Sequence, residues 1–391
     1  MRALVVGGGP GGLFFALLAK RARPELELHV VEQNPRDATY GFAVVFTPSA
    51  LAALRPAAPE VIDEIAAHTP PVEHMELLVR DERRSIHGHA YHRIGRVDLL
   101  ALLQRHARAA GVTLAFEQRV SAAEQLDGWD LVVGADGVNS VVRELHAEAF
   151  GAAVAHGRNW FAWYGATRAF DAVSLIFEPQ PEGLFIGHAY AYEPARSGFV
   201  VELAPETFAK AGFAEAPDAA ARARCEQAFA RQLDGAELLD NRSQWFRPKF
   251  VSCERWVAGG NVTLLGDALH TVHPSIGSGT RFAMRDAAAL AHALAEAGDD
   301  VGAALGRYEG SRRRRADAFQ RAARRSIAWY EGLAERDPGD PTQLALAYVM
   351  RTGRVRYEDF RRANPELIAD YERPGRRGGA PAPTTTEEAV R

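Results

Sequence analysis

Apolar and polar positions along this chain fall into short buried-looking runs separated by longer periodic stretches. Arg2–Val6 is a short apolar run that ends in glycines and predicts a strand. Leu13–Lys20 is rich in Leu, Phe and Ala and predicts a helix, and Leu26–Val31 predicts a second strand. Val97–Ala110 carries apolar residues at Leu99, Leu103, Ala107 and Ala110, which is helical spacing. Val112–Phe116 and Asp130–Val133 again read as strands. Between Phe161 and Glu202 the texture changes. Val173–Phe177, Leu184–Tyr190 and Gly198–Leu203 are rich in β-branched and aromatic residues, and predict an antiparallel sheet over which a substrate could lie. Val262–Leu265 returns to the buried-strand pattern, and the stretch from Asp286 to about Ala334 is Ala- and Arg-rich and helical. Pro374–Arg391 is rich in Gly, Pro and Thr and predicts disorder. No internal repeat is evident.

Two glycine-rich motifs frame the chain. Gly7-Gly8-Gly9-Pro10-Gly11-Gly12 joins the first strand to the first helix. Gly7 allows a tight turn, Gly9 lets a pyrophosphate approach the backbone, and Gly12 lets helix and strand pack closely. The helix start offers free N–H groups to phosphate. Glu32 ends the second strand about 20 residues on, where an acid commonly accepts hydrogen bonds from a ribose. Far downstream, Leu264-Leu265-Gly266-Asp267-Ala268-Leu269-His270 puts a carboxylate at a strand end, and Pro274-Ser275-Ile276-Gly277-Ser278-Gly279-Thr280 follows as a Gly-rich helix start. One long ligand held at both ends explains the pair, and FAD has that shape.

The order of elements predicts an α/β chain, a Rossmann-type FAD-binding domain interleaved with an antiparallel-sheet substrate domain and followed by a C-terminal helical region. The FAD-binding parts are expected at 1–150 and 256–300, with a substrate-domain insertion around 41–95. The substrate sheet is expected at 151–255, the helical region at 301–373 and the tail at 374–391. With 391 residues, 47% of them hydrophobic, the chain can fill one or two large cores. Its net charge of −4 gives no nucleic-acid footprint. Cys225 and Cys253 fit neither a disulfide framework nor a metal site and read as reduced thiols. No apolar run is long enough to span a membrane, and the chain enters a strand at once, so a cytoplasmic enzyme without membrane partner or signal peptide is expected. Oligomeric state leaves no mark on the sequence.

A third motif links the pieces: Asp130-Leu131-Val132-Val133-Gly134-Ala135-Asp136-Gly137-Val138-Asn139-Ser140, with Arg143 after it. Taken alone it is a strand–turn–helix connection with Asp136 as a cap. Together, the three motifs resemble the single-component flavoprotein aromatic hydroxylases over about residues 1–365. The resemblance implies that Asp136 and Gly137 lie by the flavin and help NADPH or NADH use, and that Asp267, after Gly266, binds the ribityl or pyrophosphate region of FAD. It further implies that Pro274, Gly277, Gly279 and Thr280 cradle the isoalloxazine. Arg96, in Gly95-Arg96-Val97-Asp98-Leu99-Leu100, matches the arginine that contacts FAD ahead of a Leu-rich helix. The cofactor set at the N-terminal end is then Gly7, Gly9, Pro10, Gly11, Gly12, Glu32 and Gln33. Thr280 stands where many members have Asn, and Leu269 replaces a second Ala.

These departures point to a subgroup, as do Gly41–Phe46, Gly157–Gly165, Phe185–Tyr190 and Gln320–Glu331. They are similar to hydroxylases of aromatic acyl-CoA thioesters, such as salicylyl-CoA 5-hydroxylase and the monooxygenase half of 2-aminobenzoyl-CoA monooxygenase/reductase. The violacein-pathway tryptophan hydroxylase shares much of this texture. The reductase half of the 2-aminobenzoyl-CoA enzyme, and its activity, are expected to be absent. The implied reaction uses NADPH or NADH and O2 to hydroxylate an electron-rich aromatic ring, with the flavin carrying the hard chemistry. The ring is expected to be CoA- or carrier-tethered; a free aromatic such as tryptophan or another indole is the alternative.

His188, His270, His273 and Pro274 are the candidates for a catalytic role, and for each histidine a structural role competes with that of a base. Val45, Trp163, Tyr164, His188 and Tyr190 are candidate substrate contacts, though strand alternation requires some of the aromatic residues to be core. The run Arg312–Arg315 suits either a solvated helix face or an anchor for CoA phosphates through Arg313 and Arg314. Two other classes stay open: a flavin-dependent oxidoreductase without oxygen insertion, and a flavin binder without activity.

Overall fold

The computed structural model describes residues 1–38, 41–68, 70–277, 279–333 and 338–373, so the stretch 374–391 read as disordered lies outside the described residues. A buried sheet carries parallel strands in the order Thr113–Ala115, Glu27–Val31, Arg2–Val6, Leu131–Gly134 and Val262–Leu264, with Val257–Ala258 antiparallel at one edge. The chain winds outward from Arg2–Val6 first to one side, then to the other. That is the doubly wound arrangement, and its switch point lies between Arg2–Val6 and Leu131–Gly134. The strands read as continuous apolar runs because helices cover the sheet. Among these helices are Pro10–Ala22, Arg96–Ala109 and Gly279–Ala297, and the first packs against both others.

The helical stretch beyond the second FAD motif is two helices. Gly279–Ala297 begins at the Gly-rich helix start of that motif, and Val301–Glu331 follows after a break. Gly298 takes a left-handed conformation (φ +63°) that stops the first helix, and the Asp300 side chain accepts the Ala303 N–H at 2.9 Å to start the second.

A second sheet holds eight strands in the order Leu238–Leu239, Trp160–Ala166, Arg196–Leu203, Gly183–Glu193, Val173–Gln180, Val72–Val79, Glu82–Gly95 and Ala43–Phe46. It is not purely antiparallel, since Val173–Gln180 runs parallel to Val72–Val79. The reason is the insertion: strands from 43–46 and 72–95 reach this sheet from within the first FAD segment. Side chains alternate between its faces. Tyr164, Phe185, Phe199 and Val201 pack with Phe229 and the helix Asp218–Ala228. On the other face Leu175, Phe177 and Ile186 meet Leu344, Val349 and Leu367 of the C-terminal helices. The rest of that face looks toward the parallel sheet. Cys225 and Cys253 are free and buried. No helix among the described residues is long and apolar enough to cross a membrane.

Candidate active site

The motifs converge because each ends a neighbouring parallel strand on the same side of the sheet. Gly7 follows Arg2–Val6, Glu32 follows Glu27–Val31, Ala135-Asp136 follows Leu131–Gly134, and Gly266-Asp267 follows Val262–Leu264. Ligands of doubly wound sheets bind at this edge.

The first turn is sterically closed except at one point. Gly7 has φ +112°, and a β-carbon on it would lie 2.3 Å from the Ala135 carbonyl oxygen. One on Gly12 would lie 2.1 Å from the Gly7 carbonyl oxygen. Gly11 is pressed against Leu265 and Ala283, which locks the first motif to the second. At Gly9 a β-carbon would meet nothing within 4 Å, so open space lies where a pyrophosphate is expected. The helix Pro10–Ala22 begins with Pro10 in its first turn and no side-chain cap. Glu32 accepts the Gly8 N–H at 2.8 Å and two donors from Asn34. Gln33 is exposed beside it.

Asp136 accepts the Val141 and Val142 N–H groups through Oδ2 at 2.7 and 3.2 Å. It thus caps the short helix Val141–Leu145 together with Ser140, whose hydroxyl accepts the Arg143 N–H. Its Oδ1 is buried with no hydrogen-bond partner among the described residues. Burial pushes its carboxyl pKa up, against the pull of Ser140 and the helix N–H groups. Gly137 turns the chain at φ +78°. Arg143 donates to the Ala268 and Val138 carbonyls at 2.9 and 2.7 Å, tying this motif to the Gly266–Asp267 turn.

Asp267 is solvent-accessible but surrounded by protein. Burial raises its carboxyl pKa, and Arg96 and His270 oppose the rise. Arg96 starts the helix Arg96–Ala109; burial lowers its pKa, while Asp267 and Tyr190 hold it up. Behind the turn lies a cluster that the motifs do not mark. Asp286 accepts His270 Nε2 at 2.7 Å, the Gly266 N–H at 3.2 Å, and Arg312 Nε and a terminal nitrogen at 2.9 and 2.7 Å. Asp286 and both side chains are buried. Burial pushes the Asp286 carboxyl pKa up, but His270 and Arg312 outweigh it and hold it below its ordinary value. His270 therefore supports the turn from behind and does not face the cleft.

Pro274 opens a tight helical turn, Pro274–Ile276, and Gly277 (φ +59°) follows it. A β-carbon on Gly277 would approach Val45 of the second sheet at 3.9 Å, and one on Gly279 would approach Asp267 Oδ1 at 3.9 Å. Gly279 and the half-buried Thr280 begin the next helix. The residues from Asp267 to Gly277 thus bridge the two sheets. His273 completes the bridge, lying edge-on to Phe161 at 5.2 Å and stacked on Phe250 at 5.8 Å. Burial lowers its pKa to about 4, with Glu202 opposing and His188 and Arg351 adding to the effect.

On the sheet face toward this bridge, His188 Nε2 lies 3.2 Å from Glu202 Oε2, and Asn159 donates to Glu202 Oε1 at 2.8 Å. Glu202 is fully buried, and the His188 ring lies 5.6 Å from that of Tyr330. The buried Tyr330 hydroxyl has no hydrogen-bond partner among the described residues. Trp163 stacks on Phe246 at 4.9 Å on the same face. Glycine makes room for flat rings here: a β-carbon on Gly198 would strike the Tyr190 ring, and one on Gly165 the Phe42 ring. Tyr190 is pushed up to about 12 by burial, with Arg96 opposing.

Three of the candidate substrate contacts fall elsewhere. Tyr164 points to the opposite face and is core, as strand alternation demands once Trp163 faces the cleft. Arg313 is engaged by Glu309 and the Glu254 carbonyl and lies over Trp256, and Arg314 is exposed beside it; neither is brought to the cleft. Glu202, Asn159, Tyr330 and Asp286 escape the sequence reading, because each gains its meaning from a partner distant in the chain.

A family model described as "FAD binding domain" matches residues 1–128 and 129–323. The chain belongs to the FAD binding domain family. It is 39% identical over 363 residues to salicyloyl-CoA 5-hydroxylase from Streptomyces sp, covering 90% of this chain and 70% of the relative. It is 37% identical over 361 residues to 3-hydroxy-4-methyl-anthranilyl-[aryl-carrier protein] 5-monooxygenase from Streptosporangium sibiricum, covering 92% and 97%. The solved structure of P. aeruginosa PqsL in complex with 2-aminobenzoylacetate shares the fold, with a TM-score of 0.68 at 22% identity over 90% of this chain and 100% of that one. The protein is a flavoprotein aromatic monooxygenase with FAD as cofactor. Its residues fit that cofactor: the open space at Gly9, the uncapped helix start and the accessible Asp267, with Arg96 in electrostatic range, suit a dinucleotide laid along the strand ends.

Proposed function

We propose that this enzyme hydroxylates an aromatic ring carried on a thioester, CoA or an acyl carrier, using NADPH or NADH and O2 in the cytoplasm. The observation that carries the reading is the bridge: one segment presents Asp267 to the parallel-sheet cleft and His273 to Phe161 of the substrate sheet. A cofactor on the first and a ring on the second would meet there. Two relatives of nearly equal identity act, by name, on tethered aromatics, which supports the thioester.

Bound FAD supplies hydride acceptance from the nicotinamide and transfer of one oxygen atom from O2 to the ring. The chain's own residues do the rest. Gly7, Gly9, Pro10, Gly11 and Gly12 would hold the pyrophosphate at the helix start, and Glu32, with Gln33 beside it, the adenosine ribose. Asp136 and Gly137 would flank the nicotinamide's approach. Asp267 and Arg96 would hold the central part of the cofactor, and Pro274, Gly277, Gly279 and Thr280 would shape the ring pocket through the backbone. Val45, Phe161, Trp163 and Tyr190 would give the substrate an apolar, largely aromatic wall that excludes water. His188, held through Nε2 by Glu202, would accept a proton at Nδ1 from a ring hydroxyl.

The test is a panel of aromatic CoA thioesters beside free tryptophan and salicylate. Substrate-stimulated NAD(P)H oxidation is followed, and product mass reports an added oxygen atom. Turnover of a thioester with oxygen insertion is expected. Turnover of free tryptophan or salicylate alone would replace the thioester with the free-aromatic reading. Oxidation without oxygen insertion would remove hydroxylation.

A further inference from the structure

Arginines gather at one corner of the molecule, next to the expected flavin cradle. Arg281 follows Thr280 by one residue, and its guanidinium carbon lies 5.4 Å from the centre of the Phe319 ring. The guanidinium carbon of Arg354 lies 4.8 Å from the same centre. Phe282 stacks on Phe319 at 5.0 Å, so the two arginines share the ring surface that remains. Arg285, one helical turn beyond Arg281, is within electrostatic range of Arg312, Arg315 and Arg354; burial and these neighbours lower its pKa. Burial, with Arg354 and Arg285, lowers Arg281 to about 10.

The corner is constructed. Arg325 donates from Nε and a terminal nitrogen to the Thr352 carbonyl at 2.9 and 2.6 Å. Gly353 then turns the chain at φ +66° and delivers Arg354 to Phe319. Arg285, Arg315 and Arg354 make no ion pair among the described residues. Asp286, the acid that reaches Arg285, is already engaged by Arg312, His270 and the Gly266 N–H. Stacking of Arg354 on the ring offsets part of the repulsion and leaves Arg285, Arg315 and Arg354 without an opposed acid of their own among the described residues. Guanidinium forks match phosphate oxygens, so a phosphate ester supplies the missing charge.

We propose that Arg285, Arg315 and Arg354, at the corner where Arg281 and Arg354 lie over Phe319, bind the phosphate groups of a nucleotide-bearing ligand, and that this ligand is the CoA end of the substrate. The choice of CoA rests on the thioester reading above; the phosphate site does not. NADPH carries the same chemistry on its 2′-phosphate, and the test separates the two.

Isothermal titration of the FAD-loaded enzyme with 3′,5′-ADP, 2′,5′-ADP and inorganic phosphate is compared with R285Q/R354Q and R315Q variants. Flavin content and Tm confirm that each variant is folded. Arg307, about 12 Å along the helix from Arg315, gives R307Q as a charge control. The expected result is that 3′,5′-ADP binds and weakens roughly tenfold for each arginine removed, as loss of a charge-assisted hydrogen bond implies, with R307Q like the wild type. Binding of 2′,5′-ADP alone, weakened in the same way, keeps the phosphate site and assigns it to NADPH. That outcome overturns the CoA assignment even where a thioester is turned over. Equal affinities in wild type and R285Q/R354Q, or no binding of either nucleotide, would overturn the site.

Discussion

The Ala135 carbonyl oxygen sits where Gly7 has no side chain: a β-carbon on Gly7 would lie 2.3 Å from it. The contact fixes the first cofactor turn against the third motif, across the switch point of the sheet. Gly7→Ala should therefore cost about 1–3 kcal/mol from overpacking, with additional strain from its positive φ. Gly9→Ala has open space and should leave Tm of the apoprotein unchanged while weakening FAD binding. Thermal melts of apoprotein and fluorescence titration with FAD separate the two effects. A Gly9→Ala variant that binds FAD like the wild type would take the pyrophosphate away from this turn.

Asp267→Ala removes the carboxylate that lies within electrostatic range of Arg96. Loss of a charge-assisted hydrogen bond of about 1.5–3 kcal/mol predicts FAD affinity at least tenfold weaker. Flavin retained on gel filtration and the apoprotein titration both report it. Unchanged affinity would remove Asp267 from the cofactor site.

Neighbouring arginines in one run should behave differently. Arg312→Leu leaves buried Asp286 without the guanidinium that donates to it twice and should cost about 3–5 kcal/mol. Arg313→Leu breaks a partly exposed pair with Glu309 and should cost about 1 kcal/mol or less. Urea unfolding of the two variants makes the comparison, and equal losses would refute the assignment of the buried cluster.

That contrast shows what the sequence could and could not reveal. The three motifs were legible because sterics demand glycine and charge demands Asp at fixed offsets from a strand end. Arg312 was legible only in part: it recurs in phase with Leu305, Tyr308, Ala316 and Phe319, the buried stripe of its helix, but four consecutive arginines hide which one faces inward. Trp163 and Tyr164 posed the same problem in a strand, where alternation separates two faces without saying which is the cleft. Glu202 could not be read at all. Its partner His188 comes from a neighbouring strand and Asn159 from the bend before Trp160–Ala166, and only the register of the sheet brings them together. The break at Gly298-Asp300 was legible as a glycine and a capping residue, yet the alanine-rich composition on either side masked it.

Glu202→Gln keeps the shape of the side chain and removes its charge. If His188 accepts the substrate proton, kcat should fall roughly tenfold or more and the pH–rate profile should shift. FAD affinity should not change. An unaltered profile with unaltered kcat would reduce the pair to a structural role.

His273 makes stability depend on pH. Its pKa is about 4 in the folded protein against 6.5 for an ordinary histidine, so between these values the unfolded chain binds the extra proton. Stability from this group is full above about pH 6.5 and falls as pH drops, by about 2 kcal/mol at about pH 5 and about 3 kcal/mol at about pH 4. Melts of the apoprotein across this range should show the loss, and His273→Gln should flatten it. A parallel slope in the variant would contradict the assignment.

The cofactor cleft is built from strands that the ribosome delivers far apart. Leu131–Gly134 pairs with Val262–Leu264 only after the whole eight-stranded sheet has been made, and the Gly279 helix start emerges later still. A nascent chain can finish its substrate sheet while the flavin edge is half assembled, and pairings of such high sequence separation close slowly. Flavin can then load only once this edge has formed, onto an apoprotein that until then has to survive without it. Ligand that binds only the folded chain stabilises it in proportion to the logarithm of its concentration. In a cell short of riboflavin, proteolysis of waiting apoprotein would lower the amount of this enzyme before any lack of catalysis is felt.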